Sequence, residues 1–147
     1  SVALPRAELR TSWLYQMTHA INTMPSLYLE AGAIHGCVLC KEGTPVCYTE
    51  DVGRHNAVDK VIGWAATERL LPLTGRILFV SGRCSFEVVQ KAAVAGVPLV
   101  AAVSAPSSLA VELAEQVGMT LVGFLRGDTM NVYTHPHRVT LPAVAPA

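Results

Sequence analysis

At 147 residues the chain has the length of one domain, large enough to bury a substantial core without disulfides or metals. Lysine plus arginine equals aspartate plus glutamate, which excludes the basic excess typical of non-specific nucleic-acid binding. The longest apolar run, Val97 to Val103, is far shorter than the roughly 20 residues of a membrane span, and the N-terminus lacks a signal peptide's apolar core. We therefore expect a cytoplasmic protein with four reduced cysteines.

The first predicted elements are a helix and a β-hairpin. Apolar residues recur at spacings of three and four from Pro5 to Ala20, which predicts an amphipathic helix that ends before Met24-Pro25. Two β-like segments follow, at Ile34 to Cys40 and at Thr44 to Thr49. The polar, glycine-containing turn Lys41-Glu42-Gly43 joins them as a hairpin.

The most highly charged stretch, Glu50 to Lys60, comes directly after the hairpin. It gathers three acids, two bases, a histidine and an asparagine in a chain that is only 15% charged. The apolar spacing after it predicts a helix from Asn56 to about Glu68, with Asn56 as a candidate N-cap. One interpretation is a ligand site at a strand-to-helix junction, and the other is a capped helix whose acids and bases pair among themselves.

A strand, a polar loop and a helix then occur twice in succession. The strands are Ile77 to Val80 and Pro98 to Val103, and the loops after them are Ser81 to Ser85 and Ser104 to Ser108. The two helices end at Gly96 and Gly118. Further strands follow at Thr120 to Phe124 and Asn131 to Thr134. This order is typical of a parallel sheet with helices on both faces. With the antiparallel hairpin added, we predict one α/β domain over residues 1–147, a three-layer α-β-α sandwich with a mixed sheet.

The loops that leave these strands are expected to meet. Right-handed crossovers bring the loops at Asp51–Asn56, Ser81–Ser85 and Ser104–Ser108 to the carboxyl edge of the sheet, where open α/β sheets bind ligands. Helix N-termini, serine hydroxyls and the guanidinium groups of Arg54, Arg83 and Arg126 are suitable donors to phosphate oxygens. The pattern favours a phosphorylated small molecule, although each serine alone could be a helix cap worth about 1 kcal/mol.

The cysteines and histidines give weaker signals. Cys37 and Cys40 have the spacing of a redox or metal pair, but on a strand they point to opposite faces, so we interpret them as buried apolar residues. Cys84 begins a helix, where a lowered thiol pKa would make it reactive, although a lone cysteine there is more often structural. His35 and His55 could bond a phosphate or serve as an acid or base.

The order of elements matches that of the zinc deaminases, but the metal ligands do not. Such an enzyme would show His-x-Glu and, at the next helix start, Pro-Cys-x-x-Cys. Here His35 is followed by Gly36-Cys37, and Cys84 has no second cysteine beside it. The scaffold is therefore expected without zinc.

Several motifs resemble the C-terminal domain of the FdhD family, the formate dehydrogenase accessory sulfurtransferases. They are Glu-Asp-Val-Gly-Arg-His-Asn-Ala-Val-Asp-Lys from Glu50 to Lys60, Ser81-Gly82-Arg83, Gln90 to Ala93, Val103 to Ala110 and Leu121 to Thr134. The resemblance implies a cytidine-deaminase-like fold without zinc. It also implies transfer of sulfur from a cysteine desulfurase to the molybdenum cofactor before that cofactor enters formate dehydrogenase.

The cofactor implied by the resemblance is bis-molybdopterin guanine dinucleotide, for which a guanine nucleotide is a mimic. The segment resembling Phe124 to Thr129 is associated with holding it in the family. With the loop residues added, the candidate cofactor-binding residues are Phe124, Leu125, Arg126, Gly127, Asp128, Thr129, His55, Ser81, Gly82, Arg83 and Ser104. No catalytic residue and no metal ligand is assigned.

In the family, the Cys-x-x-Cys that carries the persulfide lies upstream of the matched region, so we do not transfer that role to Cys37 or Cys40. Sulfurtransferase activity is then expected only of the longer protein. The expected partners are a cysteine desulfurase and formate dehydrogenase, with neither nucleic acid nor membrane. Apolar composition and exposed hairpin edges further suggest a homodimer.

Two other functions stay open at this stage. A metal-dependent nucleoside or base deaminase would contain stoichiometric zinc. A non-catalytic scaffold would bind the dehydrogenase or the desulfurase but no nucleotide.

Overall fold

The computed structural model describes residues 9–10, 35–41, 44–126 and 129–140. Of the predicted helix from Pro5 to Ala20, only Leu9 and Arg10 are described, and they form a strand, so the helix prediction is wrong at these two positions. The residues at the tip of the first hairpin and those beyond residue 140 lie outside the described part of the chain. Only the backbone is described for Leu9, Arg10, Arg54, Arg126, Thr129 and Thr140. No helix within the described ranges is long and apolar enough to cross a membrane.

Strands and helices alternate after an initial hairpin. The strands are β1 (Leu9–Arg10), β2 (His35–Lys41), β3 (Thr44–Asp51), β4 (Arg76–Val80), β5 (Leu99–Ala102), β6 (Thr120–Arg126), β7 (Thr129–Thr134) and β8 (Val139–Thr140). The helices are α1 (Arg54–Thr67), α2 (Phe86–Val94) and α3 (Ser108–Val117), and a 3-10 turn spans Pro136–Arg138.

Six strands form a mixed sheet in the order β3-β2-β4-β5-β6-β7. β4, β5 and β6 are parallel neighbours, whereas β2 is antiparallel to both β3 and β4, and β7 is antiparallel to β6. β1 and β8 form a separate parallel pair. The predicted mixed sheet with an antiparallel hairpin at one edge is therefore confirmed.

Successive residues of the inner strands belong to two different cores. In β2, Cys37 and Leu39 pack with the apolar residues of α1, α2 and α3, whereas Val38 and Cys40 pack on the opposite face with Phe79. All these strand side chains are fully buried, as expected for strands covered on both faces. The three described helices share one face, as right-handed crossovers require. Within the described residues the α-helices cover this face only, so the second helical layer of the predicted three-layer sandwich is not among them.

The first helix begins earlier than expected. α1 starts at Arg54 with Gly53 as its N-cap, so the predicted start and N-cap at Asn56 are wrong. The backbone of Gly53 is extended, and its carbonyl accepts the first helical bond from the N–H of Ala57 at 3.1 Å. Arg54 and His55, which the sequence places in a polar loop, therefore belong to the helix.

The two later helices end at glycine, as predicted. Gly96 has φ +85°, and bonds from Gly96 to Ala93 O and from Val97 to Ala92 O form the two-bond motif that commonly ends a helix. Gly118 has φ +77° and caps α3. A side chain at Gly96 would also meet Pro72, since an added Cβ would lie 2.8 Å from Pro72 Cβ.

A buried arginine ties the end of the chain to the end of α3. Arg138 is only 4% exposed. Its Nη1 donates to the carbonyl oxygen of Gly118 at 2.7 Å and to Thr120 Oγ1 at 3.0 Å. The same threonine hydroxyl donates to His135 O at 2.6 Å. The guanidinium therefore links α3, β6 and the 3-10 turn.

We expect Arg138→Met to lower the free energy of unfolding by about 2 kcal/mol, because two buried acceptors lose a charged donor. Urea unfolding monitored by circular dichroism measures this. The matched control is Arg83→Met at an exposed position, with a change within about 0.5 kcal/mol. Equal stability of the two variants would contradict the structural role of Arg138.

Candidate functional site

The ends of six strands meet at one border of the sheet, which we call the carboxyl edge. β3, β4, β5 and β6 run in the same direction and end there at Asp51, Val80, Ala102 and Arg126, while β2 and β7 begin there. The loops that enter α1, α2 and α3 therefore leave the sheet on the same side, as the crossover argument predicts.

The first two of these loops are joined through β2. Ser81 accepts a hydrogen bond from the backbone N–H of Gly36 on its Oγ at 2.8 Å, and its own N–H donates to Gly36 O at 2.9 Å. Gly82 lies so close to His35 that an added Cβ would be 3.1 Å from Nδ1 of the ring. The start of β2 and the Ser81–Ser85 loop are thus in direct contact.

The loops after β4 and β5 also lie side by side, and the second of them contacts β6. The N–H of Ser107 donates to Cys84 O at 2.9 Å, and Cys84 pairs with Pro106 in a parallel bridge. Ser104 O in turn accepts from the N–H of Phe124, within β6, at 3.3 Å. Backbone hydrogen bonds therefore connect the two loops and the end of β6, and Ser81, Gly82, Arg83, Ser104 and Phe124 share the carboxyl edge.

Phe124 has an unusual backbone at this edge. Its φ is +52°, a left-handed value that a bulky residue rarely adopts, and its side chain is 41% exposed. Gly123 on one side and Leu125 on the other are buried. The pairing of β6 with β7 is irregular between Gly123 and Arg126, which accommodates the turned-out residue.

The remaining candidate residues differ in what they can offer a ligand. Leu125 packs in the core opposite the helices, so only its backbone can reach the edge. Arg83 is exposed. At the carboxyl edge, β6 ends at Arg126 and β7 begins at Thr129. Gly127 and Asp128 lie outside the described residues.

His55 lies in the first turn of α1 and contacts the start of α2. Its Nε2 is 3.1 Å from Ser85 Oγ and 3.6 Å from Glu87 Oε2. Neither partner is among the residues predicted from the sequence. Helix spacing within α2 gives no hint that Ser85 faces another helix.

Part of the charged stretch Glu50 to Lys60 is a self-contained capping network. Asp51 accepts from the N–H of Gly53 at 2.9 Å and pairs with Lys60 Nζ at 2.9 Å. The Gly53 hydrogen bond and the Lys60 ammonium lower the pKa of Asp51 to about 2. Lys60 Nζ also donates to Glu50 O at 2.8 Å. For Asp51 and Lys60 the interpretation as a helix start whose charges pair internally is therefore correct.

The thiols are shielded from solvent. Cys37, Cys40 and Cys84 are fully buried and Cys47 is half-buried. Burial raises the pKa of the Cys84 thiol to about 12, which supports the structural alternative for Cys84 over the reactive thiol. Burial likewise raises the pKa of Cys40 to about 12 and that of Cys37 further still. Cys37 and Cys40 face opposite cores, as strand geometry predicts.

Across the described ranges, no group of three or more His, Cys, Asp and Glu side chains could hold a metal ion. A cavity of about 360 Å³ lies between α1 and α2, on the helical face of the molecule rather than at the carboxyl edge. It was not predicted. Its lining residues are Asp59, Ile62, Leu71, Gln90, Lys91, Val94 and Ala95.

Comparison with known proteins agrees with this architecture. A model of the FdhD/NarQ family matches residues 1–140. The chain is 59% identical over 115 residues to the sulfur carrier protein FdhD of Nocardia farcinica, a match that covers 78% of this chain and 41% of that protein. It is 50% identical over 140 residues to the sulfur carrier protein FdhD of Mycolicibacterium paratuberculosis, covering 95% and 52% respectively.

The fold is also similar to a solved structure from Desulfotalea psychrophila that is described as a formate dehydrogenase accessory protein. The TM-score is 0.87 at 32% sequence identity, over 95% of this chain and 62% of that one. The chain spans about half the length of the curated relatives it matches.

The Asp51 network predicts a pH-dependent loss of stability in Asp51→Asn. Since the pKa of Asp51 is about 2 in the folded state and about 4 when unfolded, its charge stabilises the fold fully above about pH 4. That contribution is lost as the pH falls from about 4 to about 2. We expect the variant to unfold at lower urea than wild type at about pH 7, with the difference vanishing near pH 2.

Lys60→Met should reproduce only part of the loss at neutral pH, because it removes the ion pair but leaves the hydrogen bond from Gly53 to Asp51. A difference between Asp51→Asn and wild type that stays constant down to about pH 2 would contradict the assigned role of the charge.

The close contact of the loops predicts that Gly123→Ala is destabilising. An added Cβ would lie 2.9 Å from Pro106 Cδ, 2.9 Å from the Tyr133 ring and 3.1 Å from Ser104 O. We expect a loss of about 1–3 kcal/mol in the free energy of unfolding, measured with urea. The control is Gly63→Ala in α1, where nothing lies within 4 Å and a gain of about 0.5–1 kcal/mol is expected. A neutral Gly123→Ala would mean that the loops are not packed against β6.

Proposed function

The chain belongs to the FdhD/NarQ family, and from that premise we propose that it is the part of a sulfur carrier protein that binds the molybdenum cofactor. The bound form is bis-molybdopterin guanine dinucleotide, held at the carboxyl edge through its guanine nucleotides and their phosphates. The whole protein would pass sulfur from a cysteine desulfurase to this cofactor, which is destined for formate dehydrogenase. The names of the relatives, sulfur carrier protein and formate dehydrogenase accessory protein, support this role.

The observation that carries the proposal is the packing of the loops after β4 and β5 against each other and against the end of β6. Backbone bonds from Ser107 to Cys84 and from Phe124 to Ser104 hold these loops in fixed positions. α2 and α3 begin from two of them, so their N-terminal N–H groups face the same border of the sheet. An extended ligand with several phosphates matches such a row of donors better than a single small anion does.

Phe124 supports the choice of a nucleotide rather than a simple phosphate. Phe124 is an exposed aromatic residue near the end of β6, and its backbone N–H bonds to the Ser104 loop. A flat heterocycle such as guanine can stack on an aromatic ring, with a contribution of about 1–3 kcal/mol per base. The left-handed backbone of Phe124 costs free energy, which is typical of positions kept for ligand contact.

The described thiols support cofactor binding, rather than sulfur carrying, as the task of this chain. A persulfide carrier needs an accessible thiolate, because the thiolate is the nucleophile. Cys37, Cys40 and Cys84 are buried and their raised pKa values keep them protonated at neutral pH. Sulfurtransferase activity is proposed for the longer protein, with the sulfur presented to the carboxyl edge.

We further propose a cytoplasmic homodimer with the desulfurase and formate dehydrogenase as partners and with no role in nucleic-acid or membrane binding. The balanced charge of the chain supports the absence of nucleic acid. β3 forms one edge of the sheet and exposes Val46, which supports a self-association surface.

Arg126→Ala is expected to weaken the binding of guanosine diphosphate by at least about 1 kcal/mol, or about fivefold in Kd. Arg126 ends β6 at the carboxyl edge, and a guanidinium is a bidentate donor to phosphate oxygens. Isothermal titration calorimetry measures the change. Arg76→Ala is the control, because Arg76 begins β4 at the opposite border of the sheet and should leave the affinity unchanged. Unchanged affinity in a folded Arg126→Ala variant would remove Arg126 from the site.

The burial of Cys37, Cys40 and Cys84 predicts that these three thiols do not accept sulfur in the folded chain. After incubation with a cysteine desulfurase and L-cysteine, we expect no persulfide on any of the three in mass spectra of the folded protein. Maleimide alkylation of the urea-unfolded chain, without the desulfurase, controls for the intrinsic reactivity of the thiols. Persulfide on Cys37 or Cys40 in the folded chain would overturn the proposal that this chain binds the cofactor and does not carry the sulfur.

A further inference from the structure

Two serines begin neighbouring helices in the same way but use their hydroxyls differently. Ser107 precedes α3 with φ −72° and ψ 157°, and its Oγ accepts from the N–H of Ala110 at 3.1 Å. Ser85 precedes α2 with φ −89° and ψ 167°, a nearly identical backbone, yet its side chain makes no capping bond. Its Oγ instead lies 3.1 Å from Nε2 of His55. The Ser85 hydroxyl therefore does not cap α2 and instead contacts the imidazole of His55.

The carboxylate of Glu87 decides which way that hydrogen bond runs. Glu87 Oε2 is 3.6 Å from the same Nε2. A neutral imidazole carries its proton on one nitrogen only, and the other nitrogen is an acceptor. If Nε2 were bare, its lone pair would face the carboxylate oxygens, which is repulsive. With the proton on Nε2, the ring donates to Ser85 Oγ and its positive N–H edge faces Glu87. The arrangement therefore favours the Nε2-protonated tautomer.

We propose that Ser85 and Glu87 are positioning residues for His55. They hold its ring at the carboxyl edge with the proton on Nε2, so that Nδ1 can only accept a hydrogen bond when the imidazole is neutral. His55 then recognises a donor on the ligand, such as a ribose hydroxyl or a heterocycle N–H, and not a phosphate oxygen. The statement about the ligand rests on the nucleotide binding proposed above, whereas the statement about the tautomer stands without it.

Nitrogen-15 NMR of the ligand-free protein tests the positioning. In buffer near pH 9, where a histidine side chain is neutral, we expect His55 to show a protonated Nε2 and a bare Nδ1. His55→Gln identifies its signals among those of the five histidines. In the double variant Ser85→Ala/Glu87→Gln, both nitrogens should move toward the averaged shifts of a ring that exchanges between tautomers.

Ser107→Ala is the matched control for Ser85→Ala. It removes a real cap, so its Tm should fall while the His55 signals stay unchanged. Ser85→Ala should do the opposite, with altered His55 signals and a smaller change in Tm, because there is no capping bond to lose. Averaged His55 shifts in the wild type, or unchanged shifts in the double variant, would overturn the positioning role.

Calorimetry with two probes tests what His55 recognises. His55→Ala should weaken guanosine diphosphate about fivefold, the effect of one hydrogen bond, and leave inorganic pyrophosphate unchanged. Equal weakening of both probes would show that His55 contacts phosphate and would overturn the inference about the donor. If the wild type binds neither probe, the proposed function fails and the statement about the ligand fails with it, while the NMR result still decides the positioning role.

Discussion

The handedness of the crossovers between β4, β5 and β6 is the constraint on which the rest of the structure depends. Because both crossovers are right-handed, α2 and α3 lie on the same face, and because these strands run in the same direction, the loops after β4 and β5 leave at the same edge. Once there, neighbouring loops are close enough to share backbone hydrogen bonds, as Ser107 and Cys84 do. The sheet itself therefore positions the proposed site, because its short loops are held at the strand ends and are less free to move than long loops would be.

In the charged stretch from Glu50 to Lys60, some residues stabilise the start of α1, and His55 is the residue proposed to recognise the ligand. Asp51 and Lys60 hold the start of α1 against the end of β3, and Thr49 adds a bond from its Oγ1 to Ala57 O at 2.6 Å. These bonds fix where the first turn of α1 begins. His55, in that turn, is consequently carried to Ser85 and Glu87 at the start of α2. Charges that pair within the fold can therefore decide the orientation of the side chain that we propose contacts the ligand.

The sequence was sufficient for the sheet and for the convergence of its loops, because both follow from apolar periodicity and the order of elements. Strand alternation also placed Cys37 and Cys40 on opposite faces. The local sequence pattern was insufficient to predict features that depend on tertiary contacts. The start of α1 depends on Asp51 folding back onto Gly53, and the Cys84 thiol is governed by burial rather than by its helix start. The contact between Ser85 and His55 joins residues 30 apart, beyond the reach of any helix or strand period.

The most direct test of the central claim is a titration of the amide spectrum of the isotope-labelled chain with guanosine diphosphate. The account predicts saturable shifts that cluster in the loops after β4, β5 and β6 and in the first turn of α1, around Arg83, Ser104, Phe124 and His55. Shifts confined to the cavity between α1 and α2, around Ile62 and Val94, or to the opposite border of the sheet around Arg76, would contradict it.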